Sequence, residues 1–513
     1  MSRKIVSLLI VLTLVLSAAI IPTAVADSPY ELNMMWCGND NSDRSDAVCA
    51  AIGDYLTEKL GTPVSMNFYV YGWDVTTTAL PALQAGEKID IFFTAGWLYY
   101  STCVAQGLFL PMNDLLQSDG QDILANLNPL FLEGAAVDGV NYAVPTNKEL
   151  AVPWGWFVNM AAAEEIGLTE EAIADIHTCE QMEEYLAAYK ALHSEFYPYV
   201  IGDASWPDSQ WYPVDQLGTG TSVYLLSQKN LYEADGSYDD TVYSVFEDES
   251  TIAHMALMHD WLKAGYIDPE NSLDSHDHND VFTTGNWLFM TMPLKGNGIK
   301  AAEMIQQYGN EAMKAALNAG ETPVVEIYTS FPKLASEFIG SMLAIPITCE
   351  KPELAMQFIN LMHSDQQLIN MMLYGIEGDD WYLNDEGFVE FNNNSWFSGH
   401  GGAWTMGNTG MQYVTVGEDP EKNAKLISFA DDAITLPSTG FTFDTVPVET
   451  QLAAIKNVVE KYQRGLVFGL SDPEDPDMGI AAYVADLKAA GLETVQAEYT
   501  AQYAAWIAEK AAE

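Results

Sequence analysis

Indole rings stand beside carboxylates and side-chain amides at several points in this chain, and at each point the surrounding sequence reads as loop: Asn39 and Asp40, Trp73, Trp97, and the run Trp206, Asp208, Gln210, Trp211. A carboxylate or amide makes bidentate hydrogen bonds and a ring covers an apolar face, so the combination suits holding a polar solute that also has C–H faces. It does not mark bond breaking. The chain has no Gly-x-Ser-x-Gly elbow, no His-Glu-x-x-His, no phosphate-cradling glycine loop and no cysteine set with a histidine as a nucleophile pair. A glycoside hydrolase needs two carboxylates about 5 to 9.5 Å apart. The 72 acidic residues can supply such a pair anywhere without distinguishing one. No catalytic residue is expected.

Two clusters invite a metal reading. His276, Asp277 and His278 offer imidazole and carboxylate, the ligand types of zinc and nickel, but two histidines two apart on a loop read as solvated. Carboxylates alternate through 472–477 without the order of a calcium-binding EF-hand and with Pro473 and Pro476 among them, which reads as a loop that starts a helix. The five cysteines, Cys37, Cys49, Cys103, Cys179 and Cys349, are widely spaced and form no Cys-x-x-Cys. Free buried thiols are the preferred reading, with Cys37 and Cys49 the local candidates for a disulfide. Neither a metal nor a cofactor is expected.

The chain opens with Arg3 and Lys4, an apolar run over 5–21 and the small-residue stretch Thr23, Ala24, Val25, Ala26. That is the pattern of a secretory signal peptide cleaved after Ala26. The run is shorter than the roughly 20 apolar residues of a spanning helix. No cysteine ends it, so a lipid anchor is not expected, and the mature protein belongs in the cell envelope or outside the cell. Beyond residue 26 the chain has 19 basic and 72 acidic residues, a formal charge of −53. Nucleic-acid binding needs basic residues clustered against phosphates and is excluded. With 49% hydrophobic residues and 13 Trp the charge does not signal disorder, and about 487 mature residues suggest two or more domains.

The elements that must carry these residues alternate. A strand-like run at 30–36 is followed by helical spacing of Val48, Ile52, Tyr55, Leu56 and Leu60, a stop at Gly61–Thr62–Pro63, and a second strand at 64–70. A helix over 73–85 and a strand at 89–93 repeat the pattern. In an open α/β sheet ligands bind beyond the carboxyl ends of the strands, so residues 36–43, 71–74 and 94–97 should share one rim. Strands are expected at 142–145, 154–159 and 336–346. Residues 161–320 are mostly helical by period, with helices also at 353–362, 447–464, 478–490 and 493–510. Residues 197–218, 274–280, 374–380 and 392–410 read as loops or turns. The expected division is 1–26 signal peptide, 27–155 first part of an N-terminal α/β lobe, 156–335 a second, mostly helical lobe, and 336–513 a returning strand, hinge segments and a C-terminal helical region.

In this order of elements the chain resembles the bacterial extracellular solute-binding proteins of the sugar-binding, maltose-binding-protein-like type. The resemblance is carried by Leu83 through Thr94 with Trp97, by Gly107 through Met112, and by Asp138–Gly139 leading through 142–145 to Glu149. Tyr374 through Gly378, Gly440 through Asp444, and Leu487 through Gly491 with Trp506 resemble a C-terminal domain of formerly unknown function that ends a subset of them. It spans nearly the whole mature chain. It implies an α/β, two-lobed periplasmic-binding-protein fold with a hinge and a ligand cleft between lobes. It implies a carbohydrate ligand, an oligosaccharide, delivered to the permease subunits of an ABC importer by a monomer.

The resemblance also assigns residues. Glu149 falls where such proteins hold a sugar-binding carboxylate, Lys148 beside it can donate to a hydroxyl or an acidic group, and Trp287 after Gly285–Asn286 falls where they place an aromatic ring. By residue type and loop placement, and not by the resemblance, Trp97 is expected as a stacking platform with Asn39, Asp40 and Trp73 from neighbouring strand ends, Trp206 and Trp211 offer rings from the second lobe, and Glu377 contributes from the hinge side. The alternatives are a binding protein for a peptide or another polar solute, or a glycoside hydrolase.

Overall fold

The computed structural model describes residues 28–38, 43–72, 75–202, 215–217, 226–228, 241–270, 278–329, 333–393, 395–398, 402–405 and 407–511. β1 (Tyr30–Trp36) buries Leu32, Met34 and Trp36 completely, as an interior strand covered on both faces must. α1 (Ser45–Leu60) ends at Gly61, whose φ of 65° needs no side chain to be cleared and whose N–H donates to the Thr57 carbonyl. The chain can therefore turn at once into β2 (Val64–Val70), parallel to β1 from Tyr30↔Val64 to Trp36↔Val70. α2 (Ala79–Ala85) leads to β3 (Ile91–Thr94), four buried residues parallel to β1. The helix is shorter than its periodicity predicts, because 75–78 form a turn; 73–74 lie outside the described residues. α3 (Pro129–Ala135) starts with Asn128 accepting from the Leu130 N–H and proline in the first turn, and β4 (Ala143–Pro145) follows.

β5 (Trp154–Asn159) opens a second sheet. With β6 (Tyr199–Val200), α4 (Glu249–Lys263), β7 (Phe289–Pro293), α5 (Ile299–Tyr308) and β8 (Val324–Tyr328) it builds a four-stranded sheet of order β8-β5-β7-β6. Helical periodicity over 161–320 misses β7, and β6 falls in the stretch read as a loop. Phe289, Met290, Thr291 and Met292 are all buried, and a strand buried on both faces gives an unbroken apolar run that period alone cannot tell from a buried helix. Phe157 and Phe289 each contribute about 1.5–3 kcal/mol by this burial.

The chain then returns. β9 (Leu334–Ala335) is followed by a tight turn, Glu337–Ile339, and by β10 (Met342–Ala344), which inserts antiparallel between β3 and β4 to complete the order β2-β1-β3-β10-β4. The long strand expected over 336–346 is thus three residues. α6 (Pro352–Met362) and α7 (Gln366–Tyr374) cover the first sheet, and residues from both lie in its core. α8 (Lys422–Ser428) precedes β11 (Ile434–Thr435), which pairs in parallel with β9. A bundle of α9 (Glu449–Val467), α10 (Ile480–Ala490) and α11 (Leu492–Lys510) closes the chain and shares a core with Leu226, Val242, Phe246 and Met255 of the second lobe.

Two α/β lobes are therefore joined by segments 146–153, 333–341 and 429–437. The five cysteines are buried and free; Cys37 and Cys49 are not bonded to each other. The carboxylates of 472–477 close turns, Asp472 accepting from the Glu474 N–H and Asp475 from those of Asp477 and Met478.

Candidate functional site

The carboxyl ends of β3 and β4 and the entry to β10 form one edge of the first sheet, and the segments leaving them carry polar and aromatic side chains. After β3 the chain turns through Gly96–Leu98, and the half-buried Trp97 donates its indole N–H to the Gly340 carbonyl at 2.9 Å. Its ring lies 6.1 Å from that of Trp404, which stands edge-on to Phe93 at 5.9 Å. Ser341 holds this arrangement: its hydroxyl donates to the Trp404 carbonyl at 3.0 Å and lies 2.9 Å from the Thr146 hydroxyl. Asn147 ties on the next segment through its N–H to Gly407 and its amide to Asn408. Thr94 Oγ1, at the end of β3, is buried without a hydrogen-bond partner among the described residues.

Next to these rings runs a line of buried charges. Lys148 Nζ lies 2.8 Å from Glu337 Oε2 and 3.5 Å from Glu149 Oε1, and Leu150 accepts from the N–H groups of Ser336 and Glu337, so the outgoing and returning segments are zipped together. Glu149 is 2% exposed, and its second oxygen, Oε2, has no hydrogen-bond partner among the described residues. Burial would push its carboxyl up, but Lys148 and Lys295 hold it below the usual carboxylate range. Burial likewise pulls Lys148 down, and Glu149 and Glu337 more than reverse it. Both are charged at neutral pH.

Lys295 belongs to the second lobe, one residue past Leu294, whose N–H donates to the Pro153 carbonyl. It pairs with Glu303 of α5 at 2.9 Å, and Glu303 also meets Lys422 of α8 at 3.1 Å, which in turn meets Glu418 at 2.7 Å. The Gln306 amide of α5 donates to the Val416 carbonyl. Since Asn408 is bound to Asn147 and Met411 to α7, these contacts cross between lobes. A buried, partly unsatisfied charge network of this kind can receive donors from a polar solute when the lobes separate and close again. A groove also opens between α5 and residues 417–422, lined by Gly298, Ala302, Leu317, Asp419 and Lys422. It contains neither the ring pair nor the orphaned atoms of Thr94 and Glu149, so the rim is the better candidate.

Among the residues singled out by sequence, Trp97, Lys148 and Glu149 come together here, linked through Gly340 and Glu337. Trp287 does not. It is fully buried in the second-lobe core, stacked on Phe282 at 5.4 Å with its indole N–H on the Phe282 carbonyl. The expectation of a ligand-facing ring is corrected: an apolar run feeding β7 buries every large side chain in it. Glu377 stands exposed in the turn after α7, beside Asp380, which clasps Arg44 at 2.6 Å. Asn39, Asp40, Trp73, Trp206 and Trp211 lie outside the described residues. Sequence reading placed Thr94 on the rim without singling it out, and missed Glu337, Lys295, Glu303 and Trp404. Only Trp404 carried a signal, as part of a Gly-, Asn- and Trp-rich loop.

The described fold is thus two α/β lobes joined by crossing segments, with a polar seam at the edge of the first sheet. Residues 437–508 match the family described as Domain of unknown function (DUF3502). The chain is similar to a carbohydrate ABC transporter substrate-binding protein of Streptococcus pneumoniae, 23% identical over 471 residues that cover 90% of this chain and 88% of that protein. Its fold is similar to that of the N-glycan transport solute binding protein NgtS of Streptococcus pneumoniae in complex with Man1GlcNAc, with a TM-score of 0.75, 20% identity and coverage of 93% and 99% of the two chains. It also matches an HMO-binding, ABC-transporter-associated solute binding protein from Bifidobacterium longum infantis, with a TM-score of 0.61, 14% identity and coverage of 93% and 99%.

Proposed function

We propose that this protein captures a carbohydrate, an oligosaccharide, between its lobes and delivers it to the permease subunits of an ABC importer. The observation that carries the reading is Glu149: a buried, ionised carboxylate with one oxygen unpartnered among the described residues, next to a half-exposed indole pair. An orphaned buried acceptor is costly unless a ligand supplies the donor, and a sugar offers hydroxyl donors to the carboxylate and C–H faces to Trp97 and Trp404. Lys148 positions Glu149 and is itself engaged by two carboxylates. Asn39, Asp40, Trp73, Trp206 and Trp211 are proposed as further contacts on their residue types alone, with Glu377 at the hinge side.

The relatives named above are substrate-binding proteins, which supports a role without catalysis. Export after cleavage at Ala26, action at the cell envelope as a monomer, and the division into 27–155, 156–335 and 336–513 complete the proposal. No described helix is long and apolar enough to cross a membrane.

Thermal unfolding of the purified protein against mono- and oligosaccharides and peptides tests this, since a ligand at 100 times its Kd adds about 2.7 kcal/mol to the folded state. A raised midpoint with one glycan class, and no turnover of that glycan, is expected. A peptide as the one active compound overturns the carbohydrate reading, and consumption of the glycan makes the protein an enzyme.

A further inference from the structure

Three lysines, Lys148, Lys295 and Lys422, lie along the seam. Its lysines are already engaged: Lys148 by Glu337 and Glu149 at 2.8 and 3.5 Å, Lys295 by Glu303 at 2.9 Å, Lys422 by Glu418 and Glu303 at 2.7 and 3.1 Å. The side chains of these three lysines are 3%, 8% and 11% exposed; Lys148 and Lys422 cannot turn to a newcomer without unpairing Glu149 and Glu418, each 3% exposed, and Lys295 would have to give up Glu303. Lys300 adds its charge to the same carboxylate, Glu303.

The segments expected to line the rim bring no further cation. Residues 36–43 and 71–74 contribute Asp40, Asp43 and Asp74, the aromatic loop 197–218 contributes Asp203, Asp208 and Asp215, and none of these stretches contains Lys or Arg. Only two arginines follow residue 26. Arg44 is forked onto Asp380 at 2.6 and 3.4 Å, and Arg464 lies over the Phe468 ring in the C-terminal bundle. Proteins recognise carboxylates with the Arg fork or a Lys ammonium.

Resting on the carbohydrate reading above, we propose that this site takes uncharged glycans and rejects those bearing carboxylates, such as uronates and sialylated chains. Glu149 Oε2 is an acceptor without a donor among the described residues. An ionised carboxylate can only accept, so it is satisfied by ligand hydroxyl or amide groups and repelled by a ligand carboxylate. The formal charge of −53 beyond residue 26 adds long-range repulsion of the same sign.

Calorimetric titration with matched pairs tests this: lacto-N-tetraose against its sialylated form, and a mannose oligosaccharide against an oligomannuronate of equal length. Whichever uncharged member binds, its acidic partner should bind at least about tenfold more weakly at low salt, with the gap narrowing as salt screens the repulsion. An acidic member that binds as tightly as its uncharged partner, or more tightly, overturns the proposal. Glu337→Gln releases Lys148 from one of its two carboxylates and removes one negative charge, and should raise the acidic-to-neutral affinity ratio about tenfold; an unchanged ratio places the discrimination elsewhere and overturns the role of the seam. If no glycan of either charge binds and a peptide does, it is the carbohydrate reading that has failed, a result distinct from both.

Discussion

Lys148 Nζ sits 2.8 Å from Glu337 Oε2, an ion pair that joins the segment leaving the first lobe to the segment returning to it. The two residues are 189 apart in sequence. Their contact places Glu149 between the lobes, because the same ammonium also faces Glu149 Oε1.

Replacing the shared cation should unbalance the seam. Lys148→Met leaves Glu149 and Glu337 without their common partner, and the cost is expected at about 3–5 kcal/mol in urea unfolding. Adding Glu149→Gln and Glu337→Gln to it should recover most of the loss. A single variant as stable as the parent means the pair is hydrated and structurally idle.

Glu149→Gln keeps the shape but removes the charge. Hydrogen bonds to charged acceptors are worth about 1 kcal/mol more than those to neutral ones, so glycan affinity should fall about fivefold, and the free protein should also lose stability because Lys148 and Lys295 lose a buried charged partner. Titration calorimetry reads this directly; unchanged affinity would remove Glu149 from the site.

The two tryptophans should separate cleanly. Trp97→Ala is expected to weaken glycan binding at least about 30-fold with a modest effect on stability, as for a ring anchoring a ligand. Trp287→Ala empties a fully buried position and should cost about 3–5 kcal/mol, with affinity kept in the folded fraction. The reverse pattern would exchange their roles.

Acid should destabilise the protein in a defined window. Burial pushes His363 down to about 4 and His254 down to about 3, against about 6.5 in the unfolded chain. Their folded values are depressed, so the stability they contribute is fully present above about pH 6.5. As pH falls the unfolded state takes up protons that the folded state does not, until each folded value is reached. Stability should therefore drop by about 1.4 kcal/mol per pH unit for each histidine between pH 6.5 and 4. His363→Gln should remove about half of that slope, measured by urea unfolding at several pH values. Below about pH 4.3 Glu149 adds to the loss, since its folded value also lies low and its contribution disappears as it is protonated.

Much of the first lobe was legible because its helices are amphipathic and their ends are marked. Gly61 stops α1 where the period stops, and Asn128 with Pro129 opens α3. Of the second sheet β5 was legible and β7 was not, because β7 is buried on both faces and shows no alternation. In the candidate site, Trp97 could be found because it follows a strand end, the place where open α/β sheets bind ligands, whereas Glu149 was pointed to by the family resemblance. Trp287 also stands near a strand, at its start, and is core.

By itself the sequence determined the sign of the formal charge and much of the alternation of helix and strand, since each depends on composition or on neighbours a few residues apart. Tertiary structure alone decided which charges are neutralised. Glu337, Lys295 and Glu303 meet Lys148 and Glu149 only because three segments cross between the lobes and β10 inserts between β3 and β4. A charge's role depends on what lies within a few ångströms of it in a low-dielectric seam, and contacts between segments more than a hundred residues apart leave no pattern in the chain that makes them.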